Sequence, residues 1–170
     1  YIHMQYYIIK NDELWQAIEP VLKRKVKEGV AVRILFDSMG CRTMKNRDWE
    51  RLERAGIEVA EFFPALLGNL QLRINYRNHR KIVVIDGRIG FVGGFNVGRE
   101  YIGLDEKFGY WRDTHLCIEG AAVTSLAVRF VLRQKKICFW MTGCLKYRTM
   151  YGTGMIRYRS FPVDRTHRSR

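Results

Sequence analysis

The opening of the chain confines the fold more tightly than anything that follows it. "IHMQYYII" and "VAVRILFDS" are two runs of β-branched and aromatic residues, each of strand length. Between them lies "NDELWQAIEPVLKRKVKEG", in which Leu14, Ala17, Ile18, Val21, Leu22 and Val26 recur at helical spacing. Asn11 or Asp12 stands where a helix cap is needed, and Gly29 where a helix ends. Pro20 falls inside the pattern and predicts a kink or a restart. Strand, helix and strand in this order favour a parallel pair joined by a right-handed crossover.

The pattern then repeats with variations. "NRDWERLERAG" predicts a short helix ended by glycine, and "IEVAEFF" a third strand. "PALLGNLQLRINYR" is broken by Pro64 and Gly68 and is irregular. "HRKIVVIDG" and "RIGFVGGFN" are strands meeting at Asp86-Gly87, a hairpin signal, and a strand "DTHLCIEG" and a helix "AAVTSLAVRFVLRQ" follow. The expected fold class is α/β, a mixed sheet with helices on both faces.

At 170 residues the chain can bury one compact core. Its net charge of +13 suggests a nucleic-acid partner until the charge is located. Residues 1–132 carry 20 Lys and Arg against 16 Asp and Glu, whereas residues 133–170 carry 10 against one. The excess sits in the tail, so nucleic acid is not the expected partner of the rest. The expected organisation is a domain over 1–132 and an atypical basic tail over 133–170. No apolar run reaches about 18 residues, so no segment is expected to span a bilayer by itself. No basic leader followed by an apolar stretch opens the chain, which starts at Tyr1 directly in a strand, as if an upstream segment were missing. Cys41, Cys117, Cys138 and Cys144 lack zinc-type spacing and read as free thiols.

Chemistry concentrates in "NHRKIVVIDGRIGFVGGFN". Alternation along a strand puts His79 and Lys81 on one face and Arg80 on the other. Asp86 lies at the strand end, and Asn96 follows Gly93 and Gly94, which leave room for a substrate group beside the backbone. An imidazole beside an ammonium, with an amide opposite, suits an anion carrying a transferable group. Lys81 and Asn96 would hold phosphate oxygens and His79 would attack phosphorus. One at a time, such residues are more often structural. Together they are specific, because burying Lys81 without an anion costs several kcal/mol.

The spacing His79-x-Lys81-x4-Asp86-x6-Gly93-Gly94-x-Asn96 resembles the HKD motif of the phospholipase D superfamily. Many members carry Ser at the position of Gly94. "YRNHRKIVVIDG", "GFVGGFNVGREY" and "KFGYWRDTHLCIEG" are similar to the first catalytic half of bacterial cardiolipin synthases, and the likeness spans residues 1–132. It implies a phospholipase D-like fold, no metal or cofactor, and a phosphatidyl-histidine intermediate on His79. Lys81 and Asn96, with Gly93 and Gly94, would bind phosphate, and Asp86 would orient a histidine. Two phosphatidylglycerols would give cardiolipin and glycerol, at the bacterial cytoplasmic membrane, with this fragment peripheral to it. The family joins two HKD motifs in one site and this chain has one, so a second half or a second copy is the implied partner. The alternatives are a homodimeric phosphodiesterase or nuclease with one motif per chain, and a non-catalytic module for anionic lipid.

Two segments stay open. Arg112, Asp113 and His115 in "WRDTH" either line the cleft or form a loop clamp, and "NLQLRINYR" either touches headgroups through Arg73 and Arg77 or is a solvated strand. The tail is expected to be disordered or a frameshifted translation. Codons for Phe161–Thr166, regrouped by shifting the frame, permit Ser-Ser-Gly-Pro-Asp, similar to the opening of the second half of such synthases. The coding DNA decides between these.

Overall fold

The computed structural model describes residues 1–62, 77–133 and 158–160. Among the described residues seven strands form one mixed sheet in the order β3-β2-β1-β4-β5-β6-β7: β1 Ile2–Tyr6, β2 Val32–Asp37, β3 Glu58–Phe62, β4 Ile82–Ile85, β5 Ile89–Gly93, β6 His115–Glu119 and β7 Tyr158–Ser160. β1, β2 and β3 run parallel, while β4 lies antiparallel to β1 and every later pair is antiparallel. The expected parallel pair is β1 and β2, in register from Ile2 opposite Val32 to Tyr6 opposite Phe36.

The crossover helix α1 spans Glu13–Lys27, and its cap is Asp12, whose carboxylate accepts from the Leu14 and Trp15 backbone N–H groups. Pro20 does not break it. The carbonyl that Pro20 cannot engage belongs to Gln16, and both residues are exposed, so water can take the bond. Of the expected stripe, Leu22 is buried and Leu14, Ile18 and Val26 pack on the core, but its edges are shifted. Val21 is 42% exposed and Ala17 faces solvent, whereas Trp15 and Glu19 are buried. Glu19 is held inside by two bonds from the Arg51 guanidinium (2.9 and 3.0 Å) and by Lys23 (2.6 Å), which together hold its carboxyl down at about 2.

Helix α2 (Asn46–Arg54) supplies that arginine, and Gly56, at φ +87, turns the chain into β3. Period-two alternation then divides the core. Val32, Ile34 and Phe36 of β2 pack with Trp15, Leu22 and Leu52 under α1 and α2, while Leu35 faces the other way, against Ala60 and Phe130. Phe130 belongs to α3 (Ala122–Arg133), and Val123 of the same helix covers Ile82 and Val84. Helices thus cover both faces of the sheet, as expected.

The β4–β5 hairpin turns at Asp86 (φ 51) and Gly87 (φ 65), the pair of positive angles a tight primed turn needs. Within the tail, Tyr158–Ser160 pairs with Leu116–Ile118, so a short strand stands where no structure was expected. The remaining tail and the segment "NLQLRINY" lie outside the described residues.

Candidate active site

Parallel strands direct their carboxyl ends to one edge, where ligands of open α/β sheets collect. Here β1 ends at Tyr6 and β2 at Asp37, and antiparallel β4 starts beside them at Ile82. Residues 77–81 enter β4 across this edge. They are pinned from below: the Asn78 N–H donates to Asp37 Oδ2 (3.3 Å), and Gln5 Nε2 donates to Asn78 Oδ1 (2.7 Å). Asp37 is fully buried, accepts from the Met39 N–H (2.9 Å) and has Arg77 3.9 Å away.

On this support His79 and Lys81 meet, as expected, although both lie in the lead-in to β4 and not on a strand face. The Lys81 ammonium lies 3.0 Å from His79 Nδ1 and donates to the His79 carbonyl at 2.8 Å. Lys81 is 5% exposed, His79 is exposed, and the Tyr7 ring covers both, 4.3 Å from the imidazole centroid and 5.7 Å from the ammonium. Burial lowers the His79 pKa, Lys81 lowers it further, and Asp37 opposes them. Burial also lowers the Lys81 pKa against the pull of Asp113. No ion pair of Lys81 forms among the described residues. A buried cation beside a neutral ring, open on one side, is a socket for an anion.

The other expected residues divide. Gly93 closes on Lys81 through its N–H (3.4 Å to the Lys81 carbonyl), and Gly94 carries the Asp113 carboxylate above it, where a Cβ would stand 2.1 Å from either oxygen. Asn96 is buried and largely engaged: its carbonyl accepts from the Ile8 N–H (3.0 Å) and its amide donates to the Tyr101 hydroxyl (2.8 Å). At most one amide hydrogen is left for a phosphate, and Asn96 mainly ties the β1–α1 loop to the single 3-10 turn at Arg99–Ile102.

Asp86 must be corrected. It sits in the hairpin turn at the opposite end of β4, a strand length of roughly 15 Å from Lys81, and its carboxylate meets the Tyr1 amino group. Within this chain it cannot orient His79. The buried acid that does act on His79 is Asp37, which the sequence reading passed over along with Tyr7. An acid closing an apolar strand, "ILFDS", was the available signal for it.

Of "WRDTH", Asp113 faces Gly94, and His115 starts β6 opposite Gly93 with its ring stacked near Phe95 (5.7 Å between centroids). Burial lowers the His115 pKa while Asp113 opposes it. Arg112 is exposed, and no Arg112–Asp113 ion pair forms among the described residues, so the clamp is not what orders this loop. Among the described residues no cluster of His, Cys, Asp and Glu suits a metal ion.

Residues 1–114 match the family model described as cardiolipin synthase, PLD-like domain. The major cardiolipin synthase ClsA of Bacillus subtilis is 54% identical over 132 residues, 78% of this chain and 27% of that protein. A cardiolipin synthase of Staphylococcus aureus is 55% identical over the same shares. This chain therefore spans about a quarter of the length of those curated relatives. Among solved structures, NucT from Helicobacter pylori superposes with a TM-score of 0.54 at 16% identity, covering 78% of this chain and 77% of that one. Nuc from Salmonella typhimurium, a phospholipase D family member, gives 0.50 at 17%, covering 78% and 76%. At those identities the structures speak for the fold, and the fold is phospholipase D-like. The match over two-thirds of its length and the identity to the synthases place this chain in the cardiolipin synthase, PLD-like domain family.

Proposed function

We propose that this chain is a phosphatidyltransferase half-domain whose His79 takes a phosphatidyl group from phosphatidylglycerol and passes it to the hydroxyl of a second one. The observation that carries the reading is the buried Lys81 ammonium, paired with no carboxylate among the described residues and turned toward His79. A phosphodiester supplies the missing negative charge. In the free site the ammonium occupies the Nδ1 lone pair of His79, which leaves the ring proton on Nε2. A phosphate oxygen that draws Lys81 toward itself frees Nδ1 to carry the proton and exposes the Nε2 lone pair as nucleophile.

Attack then forms the N–P bond and breaks the bond from phosphorus to the glycerol oxygen. Lys81 offsets the charge that grows on the phosphoryl oxygens. Glycerol leaves with a proton from an acid outside this half. The incoming hydroxyl gives up its proton as it attacks phosphorus, and His79 is released. The second acid-base group comes from a second HKD half or another copy of the chain. The reaction takes place on the bacterial cytoplasmic membrane, with this portion peripheral to it.

The test is incubation of the chain with phosphatidylglycerol labelled in its acyl chains, alone and with a second HKD half added, in the presence of chelator. With the second half present, label is expected on the wild-type protein, and not on His79→Ala; the chain alone should give at most traces. Cardiolipin is expected once the second half is present. Label that survives in His79→Ala, or none under either condition, overturns the proposal.

A further inference from the structure

Large apolar side chains are exposed at five places among the described residues, and three of them fall in one turn: Leu104 (46%), Phe108 (50%) and Tyr110 (66%). Scattered singly, such residues mean little; clustered, they mark a contact surface. The turn is built to hold them out. Gly103 (φ 69) stops the 3-10 turn, and the Leu104 N–H returns to the Arg99 carbonyl (3.0 Å). The Asp105 carbonyl accepts from the Phe108 and Gly109 N–H groups (3.2 and 2.9 Å), and its side chain accepts from the Lys107 N–H (3.1 Å). Arg99 neutralises Asp105 at 3.6 Å.

We propose that the turn Leu104–Trp111 seats this domain on a lipid bilayer, with Phe108 and Tyr110 in the headgroup boundary. The inference rests on the lipid reading of the site, because a substrate with two acyl chains stays in its bilayer and the site must come to it. Three observations select a bilayer as the occupant. The residues are of the kind that populate membrane interfaces: Tyr110 is a ring with one polar end, Lys107 carries its ammonium 5.7 Å from the apolar Phe108 ring centroid, and Arg112 is exposed nearby. The turn is also continuous with the site. Trp111 packs edge-on between Phe108 (6.0 Å) and Tyr101 (4.9 Å), the Tyr101 hydroxyl takes the Asn96 amide, and Asp113 overlies Gly94. Finally, Tyr101 and Ile102 wall an apolar groove of about 240 Å³ with Leu14, Ile18 and Phe95, so apolar surface runs from the turn toward Asn96.

Exposed Glu106 offsets Lys107, so the turn has little net charge and its grip is apolar. That separates it from the basic tail, whose attraction to anionic lipid fades in salt. The full chain is sedimented with phosphatidylglycerol vesicles and with phosphatidylcholine vesicles in 0.1 and ~1 M salt. Binding that survives high salt is expected, and the double variant Phe108→Ser, Tyr110→Ser should lose it by at least about tenfold with an unchanged melting temperature. Glu106→Trp should strengthen it. On phosphatidylcholine vesicles, which the proposed reaction does not use, wild type should still bind in high salt and the double variant should not, so a failure of the catalytic reading leaves this result intact. Equal binding by the double variant, no high-salt binding by wild type, or loss of pairing with a second HKD half while vesicle binding stays would each overturn the proposal.

Discussion

His3 and His79 stand toward opposite ends of the same central strands, and both imidazoles are held below the ordinary histidine range. The causes differ. His3 is 4% exposed, stacked on Phe130 (4.5 Å) and fixed by an Arg33 Nη1 bond of 3.1 Å to Nε2; burial first, then Arg33, brings its pKa down to about 3. His79 is exposed, and beside it is a buried cation that an anion can draw away. A neutral imidazole is therefore not in itself a nucleophile. Being neutral, reachable and next to a displaceable positive charge is what separates the two.

Exchanging the same mutation between them gives the largest expected effect. His79→Ala should lower phosphatidyl transfer, measured with a second half present, by roughly four orders of magnitude or more, with a melting temperature near wild type. His3→Ala should do the reverse, costing about 2–4 kcal/mol of stability by opening a cavity under Phe130, with activity per folded molecule little changed. If both variants lose activity in proportion to folding, the distinction drawn above is wrong.

Lys81→Gln comes next. Loss of the cation that meets growing phosphoryl charge should cost transfer about 10²–10³-fold. It also removes a repulsion that disfavours the imidazolium, so His79 should titrate at higher pH, as read by proton NMR. Asp37→Asn should move His79 the opposite way, because the buried carboxylate favours the charged ring. A His79 titration that ignores both variants would detach the imidazole from its neighbours.

The sequence carried the site further than it carried the core. His79 and Lys81 meet as the sequence suggests, although both precede β4 and strand alternation is not what joins them, and Asp86-Gly87 correctly marked the turn. The same motif misled about Asp86, since a carboxylate seven residues beyond the imidazole, at the far end of a strand, is carried away from it by the strand's own rise. Tyr7 and Asp37 were missed because their nearness to His79 comes from sheet order, which no single segment encodes. In α1 the helical period and most of the buried face were legible, and the edges of that face were not. Glu19 is buried with Lys23 of its own helix and Arg51 of α2 on its carboxylate, and the second pairing crosses from one helix to another. Pro20 was read by its usual effect, and the exposure of Gln16 cancelled it.

Acid should sharpen the contrast from the stability side. Native His3 stays neutral down to about 3, while an unfolded histidine protonates near 6.5. Between those values the unfolded chain binds the extra proton, so stability is complete above about 6.5 and falls as pH drops toward 3. Glu19, held down at about 2, adds a loss that begins only below about 4.5. Urea midpoints measured from pH 7 to 4 should therefore decline in the wild type, and the decline should flatten in His3→Gln. A parallel decline in both would place the acid sensitivity elsewhere.

Gly94→Ser is the smallest expected effect and tests the open end at its finest grain. Any Cβ there would stand 2.1 Å from the Asp113 oxygens, so the carboxylate must swing away. Asp113 ends a short side chain that is only half buried, and its displacement should cost under about 1 kcal/mol. The consequence is electrostatic. Asp113 pulls the pKa values of both Lys81 and His115 upward, and when it leaves both should fall further below their ordinary ranges. Asp113→Asn removes the same charge without crowding, so the two variants should give the same downward move of His115 by NMR. If only Asp113→Asn moves it, the carboxylate has kept its place beside the new hydroxyl. Serine and aspartate then share that edge of the site.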